Sequence, residues 1–277
     1  MHVSRDQKPT DWNGAAGESW VAAQDALDEM FRPLEHLLVA TAAARPRKRV
    51  LDVGCGTGST TIAIQERLGP DVACVGVDIS QSMLEHARRR CGQAPAFLCA
   101  DAQTHAFEQE CFDLLVSRFG VMFFKDAVQA LTNLRRAARA DAELCFIVWR
   151  SPAENPFMTT AERAAANVLP DIPPRVVNAP GQFGFADSNR VRRILEESGW
   201  SDAAVTPLDI ACSFPEPALA RYAARLGPLG SILREVDEPT KARVLAVVLP
   251  AFEPYVQGDR VHFTAACWKI VARNTRG

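Results

Sequence analysis

From Val50 onward, short apolar runs alternate with segments whose apolar residues recur at helical spacing, and this alternation restricts the folds open to the chain. It predicts strands at 50–53, 73–77, 96–99, 114–117 and 144–149, with helices over 60–68, 82–90 and 127–138. Strands that alternate with single helices form a mostly parallel sheet with helices on both faces. We therefore expect a doubly wound α/β fold of the Rossmann-like kind, which binds its ligand at the carboxyl ends of the strands.

The regions on either side of this alternation are richer in helices. Glu18 to Ala44 predicts one or two helices, interrupted at Pro33. Beyond Trp149 we expect helices at 159–168 and 188–198, strands at 203–212 and 261–271, and a helical insertion at 216–255. The predicted organisation is a helical lid (1–45), a ligand-binding core (46–150) and a remainder (151–277) that completes the sheet and carries lid insertions at about 155–169 and 216–255.

Composition excludes several classes of function. With 31 basic and 33 acidic residues the net charge is -2, so nucleic acid is not an expected partner. Apolar runs stay far below the roughly 20 residues that a membrane span needs, and the first twenty residues do not resemble a secretory signal. The eight cysteines form no CxxC pair, which predicts no metal site and a reducing cytoplasm.

A glycine-rich loop follows the first strand directly and precedes a helix. Gly54, Gly56 and Gly58 allow a tight turn and close approach to a ligand, and the helix start offers unpaired N–H groups. A dinucleotide fingerprint would place Gly or Ala where this chain has Ser59. Asp52, just before the loop, would repel a pyrophosphate but suits a ligand ammonium. The loop therefore predicts a cofactor that contains a nucleoside, and Asp52 argues against a pyrophosphate next to it.

Two further aspartates end strands. Asp78 ends the second strand, where a carboxylate can accept hydrogen bonds from both hydroxyls of a ribose, as in NAD and S-adenosylmethionine sites. Asp101 follows the third strand, where an adenine amino group would need an acceptor. The predicted site is therefore rich in acceptors and poor in groups that bind phosphate.

These motifs, in this order, resemble the class I S-adenosylmethionine-dependent methyltransferases, particularly the small-molecule group of ubiquinone and menaquinone methylases. The matching stretches are 50–58, 77–80, 100–102 and 112–117. The resemblance implies a seven-stranded sheet and S-adenosylmethionine as cofactor. It further implies the following contacts: Asp52, Gly54, Cys55, Gly56 and Gly58 with the methionyl part, Asp78 with the ribose, Asp101 and Ala102 with the adenine, and Ile79 and Met83 on either side of the purine. One departure is Ala140-Asp141-Ala142, where family members usually carry Pro-Gly-Gly.

The end of the fourth strand would face the methyl group. Ser117 and Arg118 lie at its mouth, Ser117 as a predicted cofactor contact and Arg118, with Phe119, as a candidate catalytic residue, although Arg118 could instead be a surface salt-bridge partner. Phe119 and Met122 are candidates for substrate contact within an apolar run that is more often core.

Two other sets of apolar residues also admit two interpretations. Met83 could serve core packing rather than adenine contact. Trp12 and Trp20 could close over the sulfonium or a flat substrate, or could simply pack.

The expected function is methyl transfer to oxygen, nitrogen or carbon of a small, partly apolar molecule by in-line displacement. Such a reaction needs no metal and depends on positioning and on exclusion of water, hence on a lid. No histidine is a convincing general base. The alternatives are an NAD(P)-dependent oxidoreductase and a non-catalytic, cofactor-binding regulatory protein. The acceptor and the oligomeric state stay open.

Overall fold

The computed structural model of the chain describes residues 11–170, 172 and 175–275. Its α-helices are α1 (Ala15–Ala22), α2 (Gln24–Ala43), α3 (Ser59–Leu68), α4 (Gln81–Arg90), α5 (Ala127–Ala137), α6 (Pro156–Ala165), α7 (Ser188–Glu197), α8 (Leu219–Arg225), α9 (Gly227–Leu233) and α10 (Glu238–Val248). Its strands are β1 (Arg49–Val53), β2 (Ala73–Asp78), β3 (Ala96–Cys99), β4 (Phe112–Arg118), β5 (Ala138–Trp149), β6 (Ser201–Pro215), β7 (Val256–Gln257) and β8 (Arg260–Arg273). Each element predicted in the core is therefore present.

The strands form one sheet in the order β3-β2-β1-β4-β5-β8-β6, and the two-residue β7 pairs with β8. The pairs from β3 to β5 are parallel, whereas β8 runs antiparallel to both β5 and β6. The chain steps from β1 to β2 and β3 in one direction and from β4 to β5 in the other. Because such crossovers are right-handed, α3 and α4 cover one face and α5 covers the opposite face. The predicted doubly wound, mostly parallel sheet is confirmed.

The register brings the strand ends of the predicted site together. Asp52 of β1 lies opposite Gly76 of β2 on one side and Val116 of β4 on the other. The loop after β1 therefore begins between the ends of β2 and β4. Helix α2 packs against α3 and so lies on the same face of the sheet.

The predicted interruption at Pro33 is wrong. Helix α2 continues through Pro33, and the break between α1 and α2 lies at Ala23 instead. Met30, Leu34 and Leu38 of α2 are completely buried. Burial of three such side chains, about 1.5–3 kcal/mol each, exceeds the roughly 3 kcal/mol that an internal proline costs a helix.

Strand β5 begins at Ala138, six residues before its predicted start at Leu144. In the Ala-Asp-Ala segment that replaces Pro-Gly-Gly, Asp141 takes a φ of +62°, a conformation that favours glycine. Its N–H donates to Asn274 O at 3.0 Å, and the Asn274 side chain donates to Ala138 O at 2.9 Å. The C-terminal end of the chain thus holds the irregular start of β5 in place.

The C-terminal helices extend the hydrophobic core over β6 and β8. Phe157 of α6 stacks on Phe263 of β8 with ring centroids 4.1 Å apart, and Tyr222 and Phe252 pack against the same Phe157 ring. The predicted insertion at 216–255 is therefore anchored to the sheet by aromatic packing. None of the helices within residues 11–170, 172 and 175–275 combines the length and apolarity that a bilayer crossing requires.

Candidate active site

The loop after β1 is a cradle of glycines with positive φ: +69° at Gly54, +56° at Gly56 and +84° at Gly58. The N–H groups of Gly54 and Cys55 both donate to Val77 O, at 2.8 and 3.1 Å, which fixes the loop to the end of β2. A Cβ at Gly58 would lie 2.8 Å from the Phe97 ring. Gly54 and Gly58 are therefore required by packing within the protein.

Gly56 differs from its neighbours. Among the described residues a Cβ there would meet only Met83 Sδ, at 3.8 Å, so none of their atoms crowds the position. Its N–H donates to Asp78 Oδ2 at 2.8 Å. Gly56 is thus the glycine of the loop that has space at its Cβ position and lies beside the Asp78 carboxylate.

Asp78 at the end of β2 is held by two backbone donors. Its Oδ2 accepts from Gly56 N, and its Oδ1 accepts from Ser80 N at 2.9 Å. Burial raises the pKa of Asp78, and these backbone hydrogen bonds oppose that rise. Each oxygen keeps a second lone pair, so the carboxylate can still accept from the two hydroxyls of a ribose.

The residues that are predicted to contact the adenine differ in their exposure. Ile79 is a large apolar side chain with 40% exposure, which suits stacking against a purine. Asp101 is exposed, and its Oδ1 accepts from Gln103 N at 2.9 Å, while Ala102 is buried. Met83 is only 3% exposed. Its sulfur lies 3.8 Å from the position of a Cβ built on Gly56, so Met83 borders the glycine loop, and its contact with adenine stays a prediction.

Asp52 and Cys55 lie inside the protein. Asp52 is 1% exposed, and its Oδ2 accepts from Thr61 Oγ1 at 2.6 Å. Burial raises the pKa of Asp52 to about 6, although the Thr61 hydrogen bond and the charge of Arg118 lower it. Burial likewise raises the pKa of the Cys55 thiol. Asp52 is therefore buried and paired with Thr61, and its predicted contact with the methionyl part stays a prediction.

Ser117 is completely buried, and its hydroxyl serves the backbone on both sides. It donates to Val53 O at 2.7 Å and accepts from Gly120 N and Val121 N at 3.2 and 3.3 Å. This side chain joins the end of β1 to the turn that follows β4. Its predicted contact with cofactor stays a prediction.

Phe119 takes a φ of +69°, which is unusual for an aromatic residue and is typical of functional sites. Its ring stacks on Trp149 at 4.5 Å and meets Phe31 of α2 edge-on at 5.2 Å. Met122 is 1% exposed, and its Sδ accepts from Trp149 N at 3.4 Å. Phe119, Trp149 and Phe31 thus form an aromatic wall, and Met122 packs beside it. The contact of Phe119 and Met122 with acceptor stays a prediction.

Arg118 has no carboxylate within 4.0 Å in the part of the chain that the structure describes, so the alternative of a surface salt bridge finds no partner there. Its guanidinium carbon lies 5.7 Å from the centroid of the Phe31 ring, and its Nη1 is buried without a hydrogen-bond partner. Burial raises the pKa of Glu35 on α2, and the charge of Arg118 opposes this rise. The end of β4 thus holds an unpaired cation.

Helix α2 contributes a polar network that sequence reasoning missed. Gln24 Nε2 and Arg90 Nη1 donate to Ser59 Oγ, each at 3.1 Å, and the Ser59 hydroxyl donates to Asp28. Arg90 also donates to Thr57 O in the glycine loop at 2.9 Å. The signal in the sequence was the pair Gln24 and Asp28, two polar residues four apart next to the buried face of a helix. These hydrogen bonds connect helix α2 to the glycine loop.

The N-terminal segment covers the strand ends. Gly17 of α1 approaches α4 so closely that a Cβ would lie 2.9 Å from Ser80 Oγ. Trp12 meets both Trp20 and Phe123 edge-on, at 6.0 and 5.0 Å. The two tryptophans are brought together, each partly exposed, above the turn after β4. Their contact with substrate stays a prediction.

The 216–255 insertion contacts the N-terminal helix α1. Arg234, just after α9, donates from Nη1 to Ser19 Oγ of α1 at 3.1 Å. Residues of the N-terminal helix and of the 216–255 insertion thus meet directly, far from each other in sequence.

Comparison with known proteins agrees with this geometry. Residues 50–141 match the family described as methyltransferase domain. The chain is 34% identical over 109 residues to aklanonic acid methyltransferase DauC from Streptomyces sp. strain C5, covering 38% of this chain and half of that protein. It is 27% identical over 186 residues to demethylmenaquinone methyltransferase from Renibacterium salmoninarum, covering 64% of this chain and 77% of that protein.

A solved structure shares the fold. Phosphoethanolamine N-methyltransferase 2 from Haemonchus contortus, in complex with phosphomonomethylethanolamine and S-adenosylhomocysteine, aligns with a TM-score of 0.59 at 14% identity, covering 95% of this chain and 60% of that one. At this identity the likeness concerns the fold alone. Together with the ordered motifs, these findings show a class I S-adenosylmethionine-dependent methyltransferase domain at residues 50–141, in a chain that resembles the ubiquinone and menaquinone methylases.

Proposed function

We propose that this protein transfers a methyl group from S-adenosylmethionine to oxygen, nitrogen or carbon of a small, partly apolar molecule. The observation that carries the proposal is the uncrowded backbone of Gly56 beside the Asp78 carboxylate, which Gly56 N itself helps to orient. A cradle that no protein atom fills, next to an acceptor suited to a ribose, fits a nucleoside whose chain lies along the loop.

The residues present fit the cofactor. The glycine loop would hold its methionyl part, Asp78 its ribose, and the exposed Ile79 with Asp101 its adenine. The acceptors at these strand ends suit a cofactor without phosphates. S-adenosylmethionine, when bound, supplies a methyl group on a positively charged sulfur, which is a good leaving group without metal assistance.

The chain's own contribution is positioning and exclusion of water. The aromatic wall of Phe31, Phe119 and Trp149 is rigid, because each ring packs on the other two. All three rings are buried, so their contribution is to hold the turn after β4 in place beside the loop where the acceptor would enter. Trp12 and Trp20 close the strand ends from above, and the bond from Arg234 to Ser19 draws the two lid segments together.

The proposed function also assigns roles to the three parts of the chain, a class of partner and a cellular compartment. Residues 46–150 form the cofactor-binding core, 1–45 the N-terminal lid, and 151–277 the rest of the sheet with the segments that select the acceptor. The partner is a small molecule and not nucleic acid, in keeping with a net charge of -2. All eight cysteines are free, six of them buried, which is compatible with the cytoplasm.

Calorimetric titration with S-adenosylmethionine, S-adenosylhomocysteine and NADH tests the cofactor. We expect both adenosyl compounds to bind and NADH not to bind, and binding of NADH alone would overturn the proposal in favour of an oxidoreductase. Incubation with methyl-labelled cofactor and a fractionated pool of small metabolites then tests the activity. A labelled product identifies the acceptor. Binding without any labelled product, across quinones, phenols, amines and acids, would support a regulatory protein instead.

A further inference from the structure

Two polar atoms near the glycine loop are buried and lack hydrogen-bond partners among the described residues: Gln24 Oε1, an acceptor, and Arg118 Nη1, a donor. Buried polar groups are paired in the great majority of cases, and an unpaired group destabilises a protein by the loss of its hydration. A free acceptor and a free donor of this kind indicate a ligand that carries both a donor and an acceptor.

The direction of the Gln24 amide follows from its neighbours. The Ser59 hydroxyl gives its only proton to Asp28, so Ser59 Oγ can accept from Gln24 but cannot donate to it. The amide nitrogen must therefore face Ser59, and the carbonyl oxygen is the free end. Gln24 is 5% exposed, so Oε1 cannot rely on bulk water. An ammonium group would satisfy it.

The placement of Arg118 follows from the strand register. Asp52 and Val116 are paired on neighbouring strands, and Arg118 lies two residues beyond Val116. Because side chains alternate along a strand, Arg118 leaves the sheet on the same face as Asp52. That face is the one covered by α2 and α3, where the guanidinium lies over Phe31. Asp52 and Glu35 act on it only as more distant charges.

Gln24 and Phe31 are two helical turns apart and lie on one side of α2. A ligand that lies between α2 and the strand ends, along the side of α2 that carries Gln24 and Phe31, could therefore reach both unpaired atoms. A carboxylate matches the guanidinium and an ammonium matches the amide oxygen. Both groups occur together, two bonds apart, in the amino-acid end of S-adenosylmethionine.

We infer that Arg118 binds the carboxylate and Gln24 Oε1 the ammonium of the cofactor's amino-acid end, an inference that rests on the proposed cofactor. Arg118 then acts in cofactor recognition, which differs from the expectation that it faces the methyl group. Asp52, already bonded to Thr61, supports Arg118 by charge. Helix α2 would thereby contribute to binding the charged end of the cofactor, while residues at the strand ends bind the nucleoside.

Four ligands separate these contacts in direct binding measurements: S-adenosylhomocysteine, its decarboxylated analogue, its deaminated analogue, and 5′-methylthioadenosine, which lacks the amino-acid end. The variant Arg118→Met should weaken S-adenosylhomocysteine and the deaminated analogue about ten-fold to one-hundred-fold. It should leave the decarboxylated analogue and 5′-methylthioadenosine within about two-fold. Gln24→Met should weaken S-adenosylhomocysteine and the decarboxylated analogue but not the deaminated one. Arg32→Met, an exposed arginine on the same helix, is the matched control and should change nothing.

The readouts distinguish failure of this inference from failure of the cofactor. If the native protein binds S-adenosylhomocysteine but Arg118→Met weakens all four ligands equally, Arg118 is structural and the inference is wrong. If neither variant changes selectivity, it is wrong as well. Arg118→Lys, which keeps the charge, should recover part of the preference for a carboxylate. A native protein that binds none of the four ligands would overturn the proposed function together with the inference.

Discussion

The backbones of Gly54 and Gly120 touch: a Cβ on Gly54 would lie 2.5 Å from the Cα of Gly120, and one on Gly120 would lie 2.5 Å from Val53 O. The glycine loop and the turn that follows β4 are thus in direct contact without side chains between them. Any shift of the turn, where Phe119 and the aromatic wall begin, is transmitted to the loop because both surfaces are backbone.

Gly120→Ala should destabilise the protein by roughly 1–3 kcal/mol, since its φ of -72° suits alanine but the added methyl has no space. A Cβ added at the exposed Gly92 would meet open space, so Gly92→Ala is the matched control and should be neutral or slightly stabilising. Urea unfolding of both variants measures this difference. Equal free energies of unfolding for the two would show that the contact has room to relax.

Gly56→Ala should impair cofactor binding beyond its effect on stability. Gly258 has a similar φ of +62° and open space around it, so Gly258→Ala carries a comparable backbone strain of about 1–2 kcal/mol. Both variants should lose stability alike, but only Gly56→Ala should lose affinity for S-adenosylhomocysteine, with a change on the order of 1–3 kcal/mol. Normal affinity in Gly56→Ala would mean that the ligand does not approach this backbone.

Asp78→Ala should weaken S-adenosylmethionine and S-adenosylhomocysteine equally, by roughly 1.5–3 kcal/mol, because both carry the ribose that the carboxylate would bind. Asp78→Asn keeps the shape and one acceptor, so its loss should be smaller. Calorimetric titration of the two ligands provides the measurement. Unchanged dissociation constants for both would remove Asp78 from the site.

Asp52→Asn should stabilise the protein at neutral pH. The pKa of Asp52 is raised from 3.8 to about 6, so the folded state holds its proton more tightly than the unfolded state does. The free energy of unfolding of the native protein therefore falls as pH rises through that window, by at most about 3 kcal/mol from this residue. Relative to the native protein, the variant should gain stability between about pH 3.5 and about pH 7.5, as urea unfolding at both values would reveal. A pH-independent difference would contradict the assigned burial.

Arg234→Met removes the hydrogen bond between the two lid segments, which is worth on the order of 1 kcal/mol. We expect a several-fold lower kcat/KM for the acceptor and faster proteolysis around α1, with cofactor affinity little changed. Arg243, whose guanidinium donates to Thr240 of its own helix at 3.0 Å, provides the control Arg243→Met. If the two substitutions have equal effects, the hydrogen bond from Arg234 to Ser19 does not contribute to lid closure.

The sequence by itself determined the core sheet and the position of the cofactor loop. Strand and helix periodicity from Val50 to Trp149, the glycines after β1 and the aspartate at the end of β2 are local signals, each readable within a few residues. Parallel strands place their carboxyl ends at one edge, so these signals were sufficient to bring Gly56, Asp78 and Asp101 together before any contact was known.

Only the tertiary structure decided which of these residues are exposed and which are buried and hydrogen-bonded within the protein. Asp52 and Ser117 look available in the sequence, but Thr61 and the backbone around Val53 bind them inside. Gln24 reaches Ser59 only when α2 packs against α3, and Pro33 stays within a helix only because the sheet buries its neighbours. Burial and pairing depend on contacts between distant parts of the chain, and the energies of those contacts outweigh local preference.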